Sequence, residues 1–204
     1  IGYNNIKPVL PNFPSFGKSL GKSSQFHEAA LGLGYFEIMG WILTSQKTLQ
    51  KSGILPQDCL KVKNPLTEEF TTLRPSLYPN ILEIFSRSKS EIYPQYLYEL
   101  GPVIKKGEGG QFLQFERICL ASTGSKASFS ETYSHMLGFL SALGASHELE
   151  EKDIAGFISG RCAHVKINGT DAGVIGEIHP SVLTEFGLEQ PVALFELDVK
   201  MLNK

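Results

Sequence analysis

The sequence predicts an α+β domain, a mostly antiparallel sheet covered by about three helices. Three observations carry this reading. The elements run helix, strand, helix, hairpin, helix and then a closing series of strands, which suits a sheet with its helices segregated from it. Two apolar-rich extended runs, at 96–104 and 112–122, are separated by the turn-forming Lys105-Lys106-Gly107-Glu108-Gly109-Gly110, so they pair as an antiparallel hairpin. Asn168-Gly169 stands between two further extended runs, and both residues tolerate the positive φ of a tight hairpin turn.

Taken in order, residues 1–14 read as the end of a preceding domain and a linker, and 15–204 as the core domain. Pro8, Pro11 and Pro14 exclude a helix and favour extended backbone. The chain opens at Ile1 without methionine, so it is expected to be a piece of a longer one. Residues 17–33 read as the first helix. Phe26, Ala29, Ala30 and Leu33 fall at i, i+3, i+4 and i+7, a single apolar stripe, and Gly32 and Gly34 end it. Two of the four are alanines, small enough to let another helix approach closely. Residues 35–45, rich in Phe, Ile, Trp and Leu, read as a strand. A short helix and loop fill 47–61, interrupted by Gly53 and Pro56.

The stretch from Asn64 to Pro79 organises the middle of the chain. A residue ahead of proline is pushed out of the α region, so Arg74 and Tyr78 are expected to be extended. Pro79 suits the first turn of a helix, where its missing N–H costs nothing. Leu77, Ile81, Ile84 and Phe85 come next at helical spacing, in a helix running to about residue 89. Arg74 is thus held in a fixed place. Such an arginine either pairs with a carboxylate and pins its loop, the commoner case, or serves a ligand.

Both strands of the 96–122 hairpin carry apolar residues on both faces, which places the pair inside the sheet. Residues 128–144 give the clearest helix. Ser128 and Glu131 have capping-box spacing, Tyr133, Met136, Leu137 and Leu140 form its stripe, and Gly144 stops it. Strands at 154–159, 161–167 and 172–178 come after it, then a short helix opened by Pro180 and ended by Gly187. A strand at 192–199 closes the sheet.

Composition narrows the chemistry. In 204 residues, 42% are hydrophobic, enough for a core without disulfides or metal. A net charge of −2 gives no general attraction to nucleic acid. Cys59, Cys119 and Cys162 lie far apart, which fits a reducing cytosol and speaks against a zinc site or a secreted disulfide framework. No run approaches the ~20 apolar residues that span a bilayer. The five histidines show neither i, i+4 pairing nor a cysteine at ligand spacing. The nucleophile elbow, the P-loop and the dinucleotide fingerprint are all missing. Lys105-Lys106-Gly107 has the chemistry to touch phosphate, but charged glycine-rich hairpin tips are more often simply solvated.

Several short segments, weak singly, carry a resemblance by their joint order: Gly2-Tyr3-Asn4-Asn5-Ile6, Asn64-Pro65, Leu73-Arg74-Pro75-Ser76-Leu77, Tyr98-Glu99-Leu100-Gly101 and Gly176-Glu177-Ile178-His179-Pro180. Across nearly the whole chain they resemble the β subunit of phenylalanyl-tRNA synthetase, in its C-terminal, class II synthetase-like module. The resemblance implies that fold, and a cytoplasmic enzyme of two α and two β subunits that attaches phenylalanine to its tRNA with ATP and Mg²⁺. The first helix and strand resemble motif 1 of class II synthetases, a subunit-contact motif, which makes Phe26, Ala29, Ala30 and Leu33 candidate interface residues toward the catalytic α subunit. The ending soon after the last strand, with no anticodon-binding domain, resembles the archaeal and cytosolic eukaryotic type.

The same resemblance implies that this module does no chemistry. Lys105 stands where motif 2 of the catalytic relative has its ATP-binding arginine, and lysine cannot make the bidentate phosphate contact. The segment 192–199 has neither the glycine nor the arginine of motif 3. Leu73-Arg74-Pro75-Ser76-Leu77-Tyr78 stands where the catalytic subunit has Leu-Arg-Thr-His-Thr-Ser, without the hydroxyl pair. No catalytic, cofactor-binding or metal residue is therefore assigned, and Arg74 is expected to be a structural anchor. A catalytically active class II relative and a stand-alone interaction domain are the alternatives.

Overall fold

The computed structural model describes residues 2–7, 9, 23–55 and 59–202. Seven strands form one sheet in the order β1-β4-β5-β9-β8-β7-β6. They are β1 (Phe36–Glu37), β4 (Gln95–Lys106), β5 (Phe112–Thr123), β6 (Glu148–Glu151), β7 (Phe157–Ile167), β8 (Thr170–Ile178) and β9 (Val192–Asp198). Only β1 and β4 run parallel; every other pair is antiparallel. β2 (Leu43–Thr44) and β3 (Thr72–Leu73) make a separate two-stranded ladder. The helices are α1 (Ser23–Gly32), α2 (Gln46–Lys51), α3 (Tyr78–Arg87), α4 (Phe129–Ala142), α5 (Pro180–Glu185) and α6 (Val199–Leu202).

Side chains alternate across a strand, so each strand feeds two cores. On one face, Phe26 and Ala30 of α1 and Met136, Phe139 and Leu140 of α4 pack with Tyr98, Ile118, Phe195 and Leu197. On the other, Leu77, Ile81, Leu82 and Phe85 at α3 and Val182 and Leu183 of α5 pack with Val103, Cys119, Ala121 and Leu194. The α+β class and the mostly antiparallel sheet are as the sequence predicts.

Several elements differ. The run 35–45 is not one strand. It pairs with β4 only at Phe36 and Glu37, leaves the sheet, and pairs again with β3 at Leu43 and Thr44. Tyr78 is not extended but opens α3, with Pro79 in the first turn. The 192–199 strand does not close the sheet at its margin. β9 lies at its centre, between β5 and β8, with all seven residues buried. The hairpin is only partly internal, since β5 pairs with β9 over Arg117–Thr123 and its tip-ward residues project beyond. Residues 154–159 and 161–167 do not make two strands; β7 is a single strand whose register shifts between Phe157 and Cys162. The acidic edge strand β6 gives no strand signal in the sequence because Glu148, Glu150 and Glu151 suit strand interiors poorly. In α4, Thr132, Met136, Phe139 and Leu140 are buried, while Leu137 is 40% exposed. Ser128 caps α4 by accepting from the Glu131 amide at 3.3 Å, but the Glu131 side chain instead accepts from the Tyr96 hydroxyl at 3.1 Å. Residues 17–22 of the expected first helix lie outside the described residues.

Burial raises the pKa of the Tyr35 and Tyr78 hydroxyls and of the Cys119 thiol, and burial followed by the Glu37 carboxylate pushes Tyr98 up to about 12. The unfolded chain releases these protons nearer the ordinary values of 10.0 and 9.0. Their contribution to stability is therefore complete below about pH 9 and is lost as pH rises. Tm should fall progressively between about pH 9 and pH 12; a flat Tm across that interval would contradict this linkage.

Candidate functional site

The segment 74–78 crosses the sheet face that also bears α3, and two buried carboxylates hold it there. Its backbone is fixed on both sides: the Arg74 amide donates to the Ile42 carbonyl at 2.9 Å, and the Ile104 amide donates to the Arg74 carbonyl at 2.9 Å. The side chain is 2% exposed. Its Nη1 donates to Glu99 Oε1 at 2.6 Å and its Nε to the Pro102 carbonyl at 3.1 Å. Glu99, 2% exposed, also accepts from the Gly40 amide at 3.0 Å.

Two glycines make room for this pair. A Cβ on Gly101 would lie 2.6 Å from Arg74 Nη2, and one on Gly40 would lie 3.1 Å from Glu99 Oε2 and 2.9 Å from Asn80 Nδ2. This explains the break in the 35–45 run: the chain leaves the sheet to pass over the ion pair, and only glycine fits the crossing. It also gives a physical content to Tyr98-Glu99-Leu100-Gly101, where one residue supplies the charge and another the space.

Glu196, fully buried on β9, forms the second hold. Its Oε2 accepts from Ser76 Oγ at 2.5 Å, from the Leu77 amide at 2.9 Å and from the Tyr78 amide at 3.2 Å. Its Oε1 accepts from Arg117 Nη1 at 3.3 Å. Leu77 precedes α3 with no side-chain cap of its own. A carboxylate from a strand 119 residues away in sequence caps the helix instead, satisfying free amides and the positive end of the helix dipole. That capping is why Tyr78 enters the helix despite Pro79. Lys105 lies on the same face, its pKa lowered by burial and then by the Arg117 charge.

The other resembling segments divide in two. In Gly176-Glu177-Ile178-His179-Pro180, Glu177 accepts from the Phe129 amide at the start of α4 at 2.8 Å and from Arg161 at 2.8 Å, while His179 caps α5. Asn64-Pro65 and the opening Gly2-Tyr3-Asn4-Asn5-Ile6 are exposed. The α1 stripe stands apart from Arg74, on the opposite face. Phe26 and Ala30 are enclosed in this chain's own core, and Ala29 and Leu33 are partly buried against it. Sequence reasoning missed Glu99, Glu196 and Gly40. Glu196 left a trace, an acid inside the otherwise apolar Val192-Ala193-Leu194-Phe195 run.

Glu196 receives donors on both of its oxygens, whereas Glu99 receives both of its donors on Oε1 and its Oε2 is buried without a partner. Among the described residues no three His, Cys, Asp or Glu side chains converge as metal ligands. Among the described residues, no helix is long and apolar enough to cross a membrane.

The result is an α+β fold in which Arg74 and Ser76 pair with Glu99 and Glu196 across one sheet face. Residues 6–199 match the family described as the phenylalanyl tRNA synthetase beta chain CLM domain, and the chain belongs to that family. It is 35% identical to a phenylalanine--tRNA ligase beta subunit of Archaeoglobus fulgidus, over 97% of this chain and 37% of that one. It is 34% identical to the Methanosarcina acetivorans protein of the same name, over 97% and 36%, and 31% identical to that of Thermococcus sibiricus, over 100% and 37%. The chain thus spans little more than a third of the length of these relatives.

Proposed function

We propose that this chain is the class II synthetase-like, non-catalytic module of a phenylalanine--tRNA ligase beta subunit. In this reading it pairs with the catalytic α subunit in an α2β2 enzyme of the cytoplasm that uses ATP and Mg²⁺ to attach phenylalanine to tRNA. The observation that supports it is that Arg74–Glu99 and Ser76–Glu196 hold the chain's own segment 74–78 across this sheet face. The module's work is then structural. On α1, Phe26 and Ala30 fix the helix to the sheet with Ala29 and Leu33 partly buried at its flank, while the outer side, with Leu31 56% exposed, meets the partner.

Two measurements test this. Calorimetry with Mg²⁺-ATP and pyrophosphate exchange on the chain alone should give no binding heat and no exchange above the buffer blank; micromolar ATP binding would overturn the non-catalytic reading. In the full β chain, Leu31→Arg should leave the fold intact and weaken co-purification with α, because a charge buried at an interface without a partner is costly. Normal co-purification would remove α1 from the joint.

A further inference from the structure

A cleft of about 910 Å³ runs beside α3, between that helix, α2 and the loop before β3. Two hydrogen bonds fix its ends. Asn80 Nδ2 donates to the Trp41 carbonyl at 2.7 Å, which sets Trp41 at the first turn of α3, and Ser86 Oγ donates to the Phe186 carbonyl at 2.6 Å, which sets the end of α5 at the last turn. Asn80 and Ser86 lie six residues apart on α3, about 9 Å along the helix. About three residues of extended chain cover that distance, at about 3.3 Å each.

The two ends differ in chemistry. At the Trp41 end the indole is 76% exposed and meets Phe70 edge-on at 6.2 Å, with Glu68 and Glu69 exposed beside Phe70 in the chain. At the other end Arg87, from the last turn of α3, lines the cleft. A guanidinium stacks on indole and bonds carboxylates with its planar fork, and a carboxylate suits Arg87. Beneath the lining, Thr44 Oγ1, Gln46 Nε2 and Asn80 Oδ1 are buried without hydrogen-bond partners, three of the six such atoms among the described residues. Thr44 and Asn80 are only 4% and 6% exposed. Unpaired buried groups are costly, and a peptide, with a donor and an acceptor at each residue, has the chemistry to relieve them once the lining side chains turn.

We infer that this cleft is a binding site for an extended segment of a partner protein, about three residues long, with an arginine on Trp41 at one end and an acidic residue at Arg87 at the other. The site goes beyond the structural role proposed above and does not depend on which partner supplies the segment.

Trp41 is the only tryptophan in the chain, so its fluorescence reports occupancy directly. The probes are acetyl-Arg-Gly-Glu-amide and its reversed sequence, titrated into the 204-residue chain. At least one polarity should change Trp41 emission saturably. The exposed-residue variant Glu68→Gln/Glu69→Gln, whose fold is checked by circular dichroism, should weaken that binding roughly tenfold, as loss of ~1.4 kcal/mol does. No saturable change with either peptide up to about 5 mM, or equal affinity in the double variant, would overturn the inference.

Discussion

Glu196→Ala should be among the most destabilising substitutions in the chain, costing about 3–5 kcal/mol. The carboxylate is fully buried and receives four donors, Ser76 Oγ, the Leu77 and Tyr78 amides and Arg117. Alanine removes the acceptor and leaves those donors stranded, including the two amides at the start of α3, and unpaired buried donors carry their own desolvation cost. Glu196→Gln should cost less, since it keeps the volume and one acceptor oxygen. Urea unfolding followed by circular dichroism reads both. Equal midpoints for Glu196→Ala and the parent chain would mean that water replaces the carboxylate without loss.

Arg74→Ala should cost a similar amount, about 3–5 kcal/mol, because it leaves Glu99 buried and unpaired. Here the informative comparison is the double variant Arg74→Met/Glu99→Leu. Replacing a buried ion pair by apolar side chains is often neutral, so the double variant should recover much of the loss, while Arg74→Lys should recover little. A guanidinium reaches both Glu99 and the Pro102 carbonyl, and an ammonium lacks that fork. If Arg74→Ala leaves the unfolding midpoint unchanged, the pair does not hold the segment.

The sequence made Arg74 conspicuous because two prolines restrict the backbone around it. It could not reveal Glu99, which lies 25 residues on in a strand whose alternation looks ordinary. Local pattern sufficed for α4, with its Ser128 cap, and for the Asn168-Gly169 turn, where φ is 53° and 75°. It failed for 35–45, where β-prone residues suggested one strand and a packing demand at Gly40 broke it. It failed again for the place of β9, because strand order is a tertiary property that periodicity does not encode. On α4 the expected stripe and the buried face share Met136 and Leu140 but differ at Leu137, which is 40% exposed, and at Phe139, which is buried, a rotation that burial decides and spacing alone does not.

The central position of β9 also bears on how the module is made. β9 is the last of its seven strands to leave the ribosome, yet it joins β5 to β8. Until residues 192–198 emerge, the sheet exists as two separate ribbons, each presenting a bare edge to whatever lies nearby, and bare edges invite pairing with other chains. The carboxylate that caps α3 arrives on the same strand, so α3 must wait for its cap until nearly all of the module has been synthesised. The contacts that lock the module are thus among its most distant in sequence, an arrangement that slows folding and lengthens the interval in which a nascent chain needs protection.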